Sequence, residues 1–306
     1  MFLLQGDKGK NSFFLYCLSF SIILLLFVIV GHLPMLMAAD NVPSLSSNED
    51  LTSVLVNQIG SNTFFVYALL PFIIGLIGLV FSARYIHQRS ILSIFSSRDQ
   101  FSWRRFFFSF FLWGSVMSVS LLISYLLGYP IVYNLNPNTF FLLFLISLLL
   151  LPLQTTFEEV LFRGYLFQAF GTFFRKGWIS VLVTGVLFGL MHGANPEVDR
   201  IGSVLLVYYI MTGIFLGVIT LMDDGLELSM GYHAINNIFA AIVVTNDWQA
   251  FHTDAFFLDK TPPSFGIENI LTLVVLQPLI IFVFSKKYKW SNWKKRLFNT
   301  QISEKE

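Results

Sequence analysis

The stretch TFFLLFLISLLLLPLQTTFEEVLFRGYLFQAF, residues Thr139–Phe170, decides the fold. Thr139 to Phe157 is nineteen residues without a charge. A bilayer core about 30 Å thick is crossed by about 20 apolar residues of helix, so this run is long enough to span one. The whole stretch is too long for one straight span, and Pro152 within it can kink the helix. Working outward from it, apolar segments recur near Phe13–Val30, Phe64–Phe81, Phe106–Leu127, Trp178–His192, Ser203–Leu221, Tyr232–Val244 and Asn269–Phe284. The expectation is an all-α polytopic membrane protein. About eight transmembrane helices would form one bundle around a polar intramembrane cavity.

Composition agrees. The 306 residues are 55% hydrophobic and 12% charged, against about 25% charged in soluble domains. Mean hydropathy is +0.70. A net charge of +1 gives no reason to expect a nucleic-acid partner. The single cysteine, Cys17, has no internal disulfide partner, and no small residues precede it as a lipoprotein site would require. Phe13–Val30 is longer than the apolar core of a cleaved signal peptide, and Ala38-Ala39 is a poor cleavage site, so the first span is read as uncleaved.

Placing the N-terminus in the cytoplasm and alternating the spans separates the charges. Lys8, Lys10, Arg84, Arg89, Arg98, Arg104, Arg105, Arg175, Lys176 and seven basic residues from Lys286 to Lys305 fall inside, while Arg200 and Lys260 fall outside. That asymmetry satisfies the positive-inside rule with both termini cytoplasmic. The largest polar loops are Asp40–Asn62, with Glu49 and Asp50, and Thr245–Gly266. Residues 1–105 read as an N-terminal transmembrane region with a basic loop, 106–285 as the core and 286–306 as a basic tail. Trp290 and Trp293 among the tail's cations mark a juxtamembrane anchor on anionic lipid.

With loop charges set aside, Glu158, Glu159, Arg163, His192 and His233 are left inside apolar sequence. A charge at the bilayer centre costs at least about 2.5–3.5 kcal/mol, so such residues face a partner or a cavity. Glu159 and Arg163 are i,i+4 on a helix, acid first, and can neutralise each other. Glu158 lies about 100° round and is left without a counter-charge. His233 and Asn237 also share a helix face. Asn237 could orient the imidazole, or both could donate to an oxyanion. A carboxylate and a histidine can together deprotonate water.

The ordered motifs Glu158-Glu159-x-x-x-Arg163, Phe188-x-x-x-His192 and His233-x-x-x-Asn237 resemble those of the CAAX protease and bacteriocin-processing family of intramembrane endopeptidases. That family includes the eukaryotic enzyme that trims prenylated CAAX proteins. The likeness covers roughly Leu142–Val244, and nothing N-terminal to Arg105 matches a motif. It implies that Glu158 and His192 activate water, that His233 and Asn237 stabilise the oxyanion, and that Glu159 and Arg163 support the site. The substrate would be a membrane-associated protein or peptide. A metal-free mechanism is expected, because no acid is left as base once Glu158 binds a metal. The zinc alternative would use Glu158, His192 and His233. The competing readings are a non-catalytic scaffold or bacteriocin-immunity protein on the same fold, and a transporter, whose paired halves are not found here. A bacterial cytoplasmic membrane is the expected location.

Overall fold

The computed structural model describes residues 1–42, 51–251 and 253–298. Among them, seven helices are long and apolar enough to cross a membrane. They are α1 (Phe13–Asp40), α2 (Ser61–Ile86), α3 (Trp103–Leu126), α4 (Pro137–Phe174), α5 (Gly177–Ala194), α6 (Val204–Asp223) and α8 (Ile267–Tyr288). The protein is an integral, multi-pass membrane protein.

The eighth expected span is a different object. Helix α7 starts at Glu227 rather than Tyr232 and ends at Ile242, sixteen residues, or about 24 Å. Glu227 through Ala234 are all buried. It packs against α3 and α4. Tyr232 stacks on Trp113 at 4.5 Å, and Ile238 and Ala241 join Leu151 in one apolar cluster. Screened from lipid by its neighbours, α7 can carry Glu227, Ser229, His233 and two asparagines where a lipid-facing helix could not.

Two other expectations are corrected. Asp40–Asn62 is not simply a loop: α1 runs to Asp40 and a short helix covers Leu51–Ile59. Glu49, Asp50 and Lys305 lie outside the described residues. Helix α4 also passes through Pro152 without a break. The Thr155 hydroxyl donates to the carbonyls of Leu151, 3.0 Å, and Pro152, 3.3 Å. The irregularity comes later, as a π-helical segment at Val160–Leu166 directly after the glutamates, a type of distortion that gathers at functional sites.

Strands β1 (Ile131–Tyr133), β2 (Val244–Thr245) and β3 (Phe257–Asp259) tie the α3–α4 loop to the segment after α7. β3 is central, antiparallel to β1 and parallel to β2.

The opposite end gathers the charges. The Phe2 amide donates to Asp224 Oδ1 at 2.8 Å, and Arg296 pairs with Asp224 at 2.7 Å. Arg98 bridges Asp223 and Glu227 at 3.2 and 3.0 Å, and Arg105 reaches Asp223 at 2.7 Å. The first residues of the chain and the segment after α8 therefore meet at one end of the bundle. A polar cleft of about 310 Å³ opens there, lined by Arg98, Arg105, Tyr288, Trp290 and Arg296 among others. Arg98 and Arg105 thus bind the fold together as well as biasing its orientation. A reporter fused after Glu306 is expected to read cytoplasmic, on the positive-inside rule; an external signal would overturn that orientation.

Candidate active site

Glu158 and Glu159 end the regular part of α4, 9% and 0% exposed. Glu159 Oε1 accepts from Arg163 Nη1 at 3.0 Å, with both side chains fully buried. A charge pair this deep needs further partners, and it finds some of them, though Glu159 Oε2 and Arg163 Nε have no hydrogen-bond partner. Arg163 Nη2 donates to the Gly213 carbonyl at 3.2 Å, and the guanidinium lies 4.0 Å over the Phe188 ring, a cation–π contact. The carbonyl is within reach because α5 and α6 touch through glycine. A Cβ on Gly213 would come 2.6 Å from the Gly185 carbonyl oxygen, and one on Gly185 would come 2.8 Å from the Ile214 nitrogen. Small residues allow this approach in membrane helix pairs.

His233 enters from α7 between the two glutamates. Its Nδ1 lies 2.9 Å from Glu159 Oε1 and its Nε2 lies 3.4 Å from Glu158 Oε2. The contact to a carboxylate assigns a proton to Nδ1. A neutral ring would then turn its Nε2 lone pair on a second carboxylate. Nε2 and Oε2 face each other at 3.4 Å, close enough for Glu158 and His233 to act as an acid–base couple.

Glu158 Oε1 accepts from Gln154 Nε2 at 2.7 Å. Gln154 Oε1 accepts from Asn237 Nδ2 at 2.9 Å. Asn237 Oδ1 accepts from Asn236 Nδ2 at 3.3 Å, and Asn236 Oδ1 accepts from Trp113 Nε1 at 3.1 Å. A chain of amides thus runs from α3 through α7 to one oxygen of Glu158 and leaves the other facing His233. Two sequence expectations change. Asn237 does not orient the imidazole; its amide goes to Gln154, and Glu159 orients the ring. Glu158 is not unassigned, because Gln154 holds it. Gln154 was missed, although it sits four residues before Glu158 on the same helix face.

His192 closes α5 where the helix tightens into a 3₁₀ turn. Its Nδ1 lies 2.8 Å from the Phe188 carbonyl, which assigns the ring proton to Nδ1 and leaves Nε2 as a base. Among the described residues no hydrogen bond joins His192 to Glu158 or His233. The Phe188 ring touches both imidazoles, with centroids 4.6 Å from His192 and 5.9 Å from His233.

The zinc alternative needs three donors converging on one point with lone pairs free. Nδ1 of His233 meets Glu159 and Nδ1 of His192 meets a carbonyl, which leaves the two Nε2 atoms as the available donors. Among the described residues, no three His, Cys, Asp or Glu side chains are grouped to hold a metal ion.

Comparison with known proteins agrees with the geometry. Residues 137–239 match the family described as type II CAAX prenyl endopeptidase, Rce1-like. That stretch holds every side chain above except Trp113. The chain is 29% identical over 248 residues to the uncharacterized protein YyaK of Bacillus subtilis strain 168, covering 78% of this chain and 80% of that protein. No solved structure matches. Residues 137–239 are thus an Rce1-like domain.

Proposed function

We propose that the protein is an intramembrane endopeptidase that hydrolyses a peptide bond of a membrane-associated polypeptide with water as the nucleophile. The observation that carries this is the division between adjacent carboxylates. Glu159 is paired with Arg163 and His233, while Glu158 has no arginine partner and turns Oε2 toward His233 Nε2 at 3.4 Å. In this reading one of Glu158 Oε2 and His192 Nε2 takes one proton from the attacking water, and the other takes the second when the tetrahedral intermediate collapses to the carboxylate. The hydroxide adds to the scissile carbonyl carbon, and the proton on His233 Nε2 donates to the developing oxyanion. Collapse breaks the C–N bond, and a proton held on Glu158 or His192 passes to the leaving amine. The products are a carboxylate and an amine, with no covalent enzyme intermediate. Gln154 and Asn237 fix the carboxylate. Asn237 is then a positioning residue in place of the oxyanion donor its motif implied.

No step passes through a metal. Exhaustive chelation of the purified protein is expected to leave peptide turnover unchanged. Complete loss, restored by added zinc, would make Glu158, His192 and His233 ligands after rearrangement and overturn the metal-free reading. The match to a Bacillus protein supports a bacterial cytoplasmic membrane as the location. A scaffold or immunity role would leave the acid–base couple without use, and such a protein would not turn over any peptide.

A further inference from the structure

His192 is the most exposed of the proposed catalytic groups. It stands at a helix end, followed by the exposed Gly193 and Ala194. A Cβ on Gly193 would meet only Leu206, at 3.9 Å, so the chain just beyond the ring is loosely packed. An imidazole there has wide rotamer freedom unless something outside its own helix holds it. On one side Phe188 supplies its carbonyl and a tilted ring at 4.6 Å. On the other, Tyr209 of α6 stacks nearly parallel on the imidazole, centroids 4.3 Å apart and planes 24° apart.

Tyr209 is itself fixed. Its hydroxyl donates to Glu197 Oε1 at 2.7 Å. Glu197 is 8% exposed and lies on the short helix Pro196–Ile201 just after His192. Asn195 Nδ2 donates to the same oxygen at 3.0 Å, and the Ala250 amide donates to Oε2 at 3.0 Å. One buried carboxylate therefore ties together the turn after α5, helix α6 and the segment between β2 and β3. Neither Glu197 nor Tyr209 belongs to the three motifs, and nothing in the ion-pair network at the other end requires them.

We infer that Tyr209, anchored by Glu197, is a positioning residue that clamps the His192 ring so that Nε2 faces the site. The inference rests on the proposed role of His192, and its test separates the two. The chain has five histidines, so the ring signals of a histidine-labelled sample in detergent are few enough to assign, His192 by its loss in His192→Gln. Tyr209→Leu removes the stacked ring. The His192 ring-proton resonance should then lose its ring-current shift while His32 and His87 stay in place. In the same sample kcat should fall on the order of 10- to 100-fold, as small misplacements of a catalytic group do, with KM little changed. Tyr209→Phe keeps a ring to stack but loses the bond to Glu197, and should recover part of the resonance shift and part of the rate. If Tyr209→Leu does not fold, Glu197→Leu releases the same ring from its anchor and should broaden or shift the same resonance.

A fall in kcat with the His192 signal unmoved would overturn the inference, because the loss would then be general structural damage. A shifted signal with unchanged kcat would overturn it too, because the clamp would not matter to the reaction. A wild-type protein that cleaves no peptide is the failure of the protease reading itself, and the spectrum still decides whether Tyr209 sets the ring.

Discussion

Glu158→Gln is expected to bring peptide turnover to background while the protein melts as the wild type does. The substitution keeps the shape of the side chain, and Oε1 can still accept from Gln154. What it removes is the proton-accepting oxygen that faces His233 Nε2 at 3.4 Å. General-base contributions run at about 10²–10⁴ in rate, enough to bury a slow endopeptidase in the noise of its assay. The fold has no other claim on this carboxylate, since the cation of the site, Arg163, is bonded to Glu159. Parallel melting curves and turnover numbers check both halves. Near-normal turnover in the variant would show that the base lies elsewhere.

Glu159→Gln should do the reverse of this, with stability failing first. Arg163 is 0% exposed, and the substitution leaves its charge in the core with the Gly213 carbonyl, the Phe188 ring and the nearby Glu158 to balance it. Breaking a buried pair by removing one partner costs about 3–5 kcal/mol. His233 loses the acceptor of its Nδ1 at the same time, so activity falls as well. Replacing both members, Glu159→Gln with Arg163→Met, should recover part of the stability and none of the activity. A single variant as stable as the wild type, by thermal or denaturant unfolding in detergent, would mean that the pair is not what holds α4 to α6.

The two glutamates show what a sequence can carry. Residues four apart on a helix share a face whatever surrounds them, so the Glu159–Arg163 pair and the separation of Glu158 from it follow from spacing alone. Gln154 obeys the same rule, and it was lost among apolar neighbours because an uncharged amide costs too little in a membrane to stand out. The seven long spans are legible for a similarly local reason: each must match a bilayer thickness by itself.

What escaped the sequence depends on partners distant along the chain. That Glu159 rather than Asn237 orients His233 is settled by how α7 docks against α4, 74 residues away. Tyr209 meets His192 through the glycine contact of α5 with α6. Helix α7, whose apolar residues mark it as an eighth span, is short and polar, and its place comes from the helices that enclose it. Alternating spans place His233, near the start of α7, and His192, at the end of α5, at different depths. Phe188 resolves this: one turn before His192, it is level enough with His233 for the rings to touch. The small sheet pairs residues from two loops more than a hundred positions apart, and no local pattern announces it.

The central claim is that this chain hydrolyses peptide bonds and that Glu158 is required. Its most direct test is product mass spectrometry. Purified wild-type and Glu158→Gln proteins are incubated in detergent or vesicles with a prenylated CAAX peptide and a proteome-derived peptide library. The expected result is a set of new peptide termini formed by the wild type and missing from the variant, the sequence context of the cut giving the substrate class. No new termini with either protein, or the same termini with both, would contradict the claim.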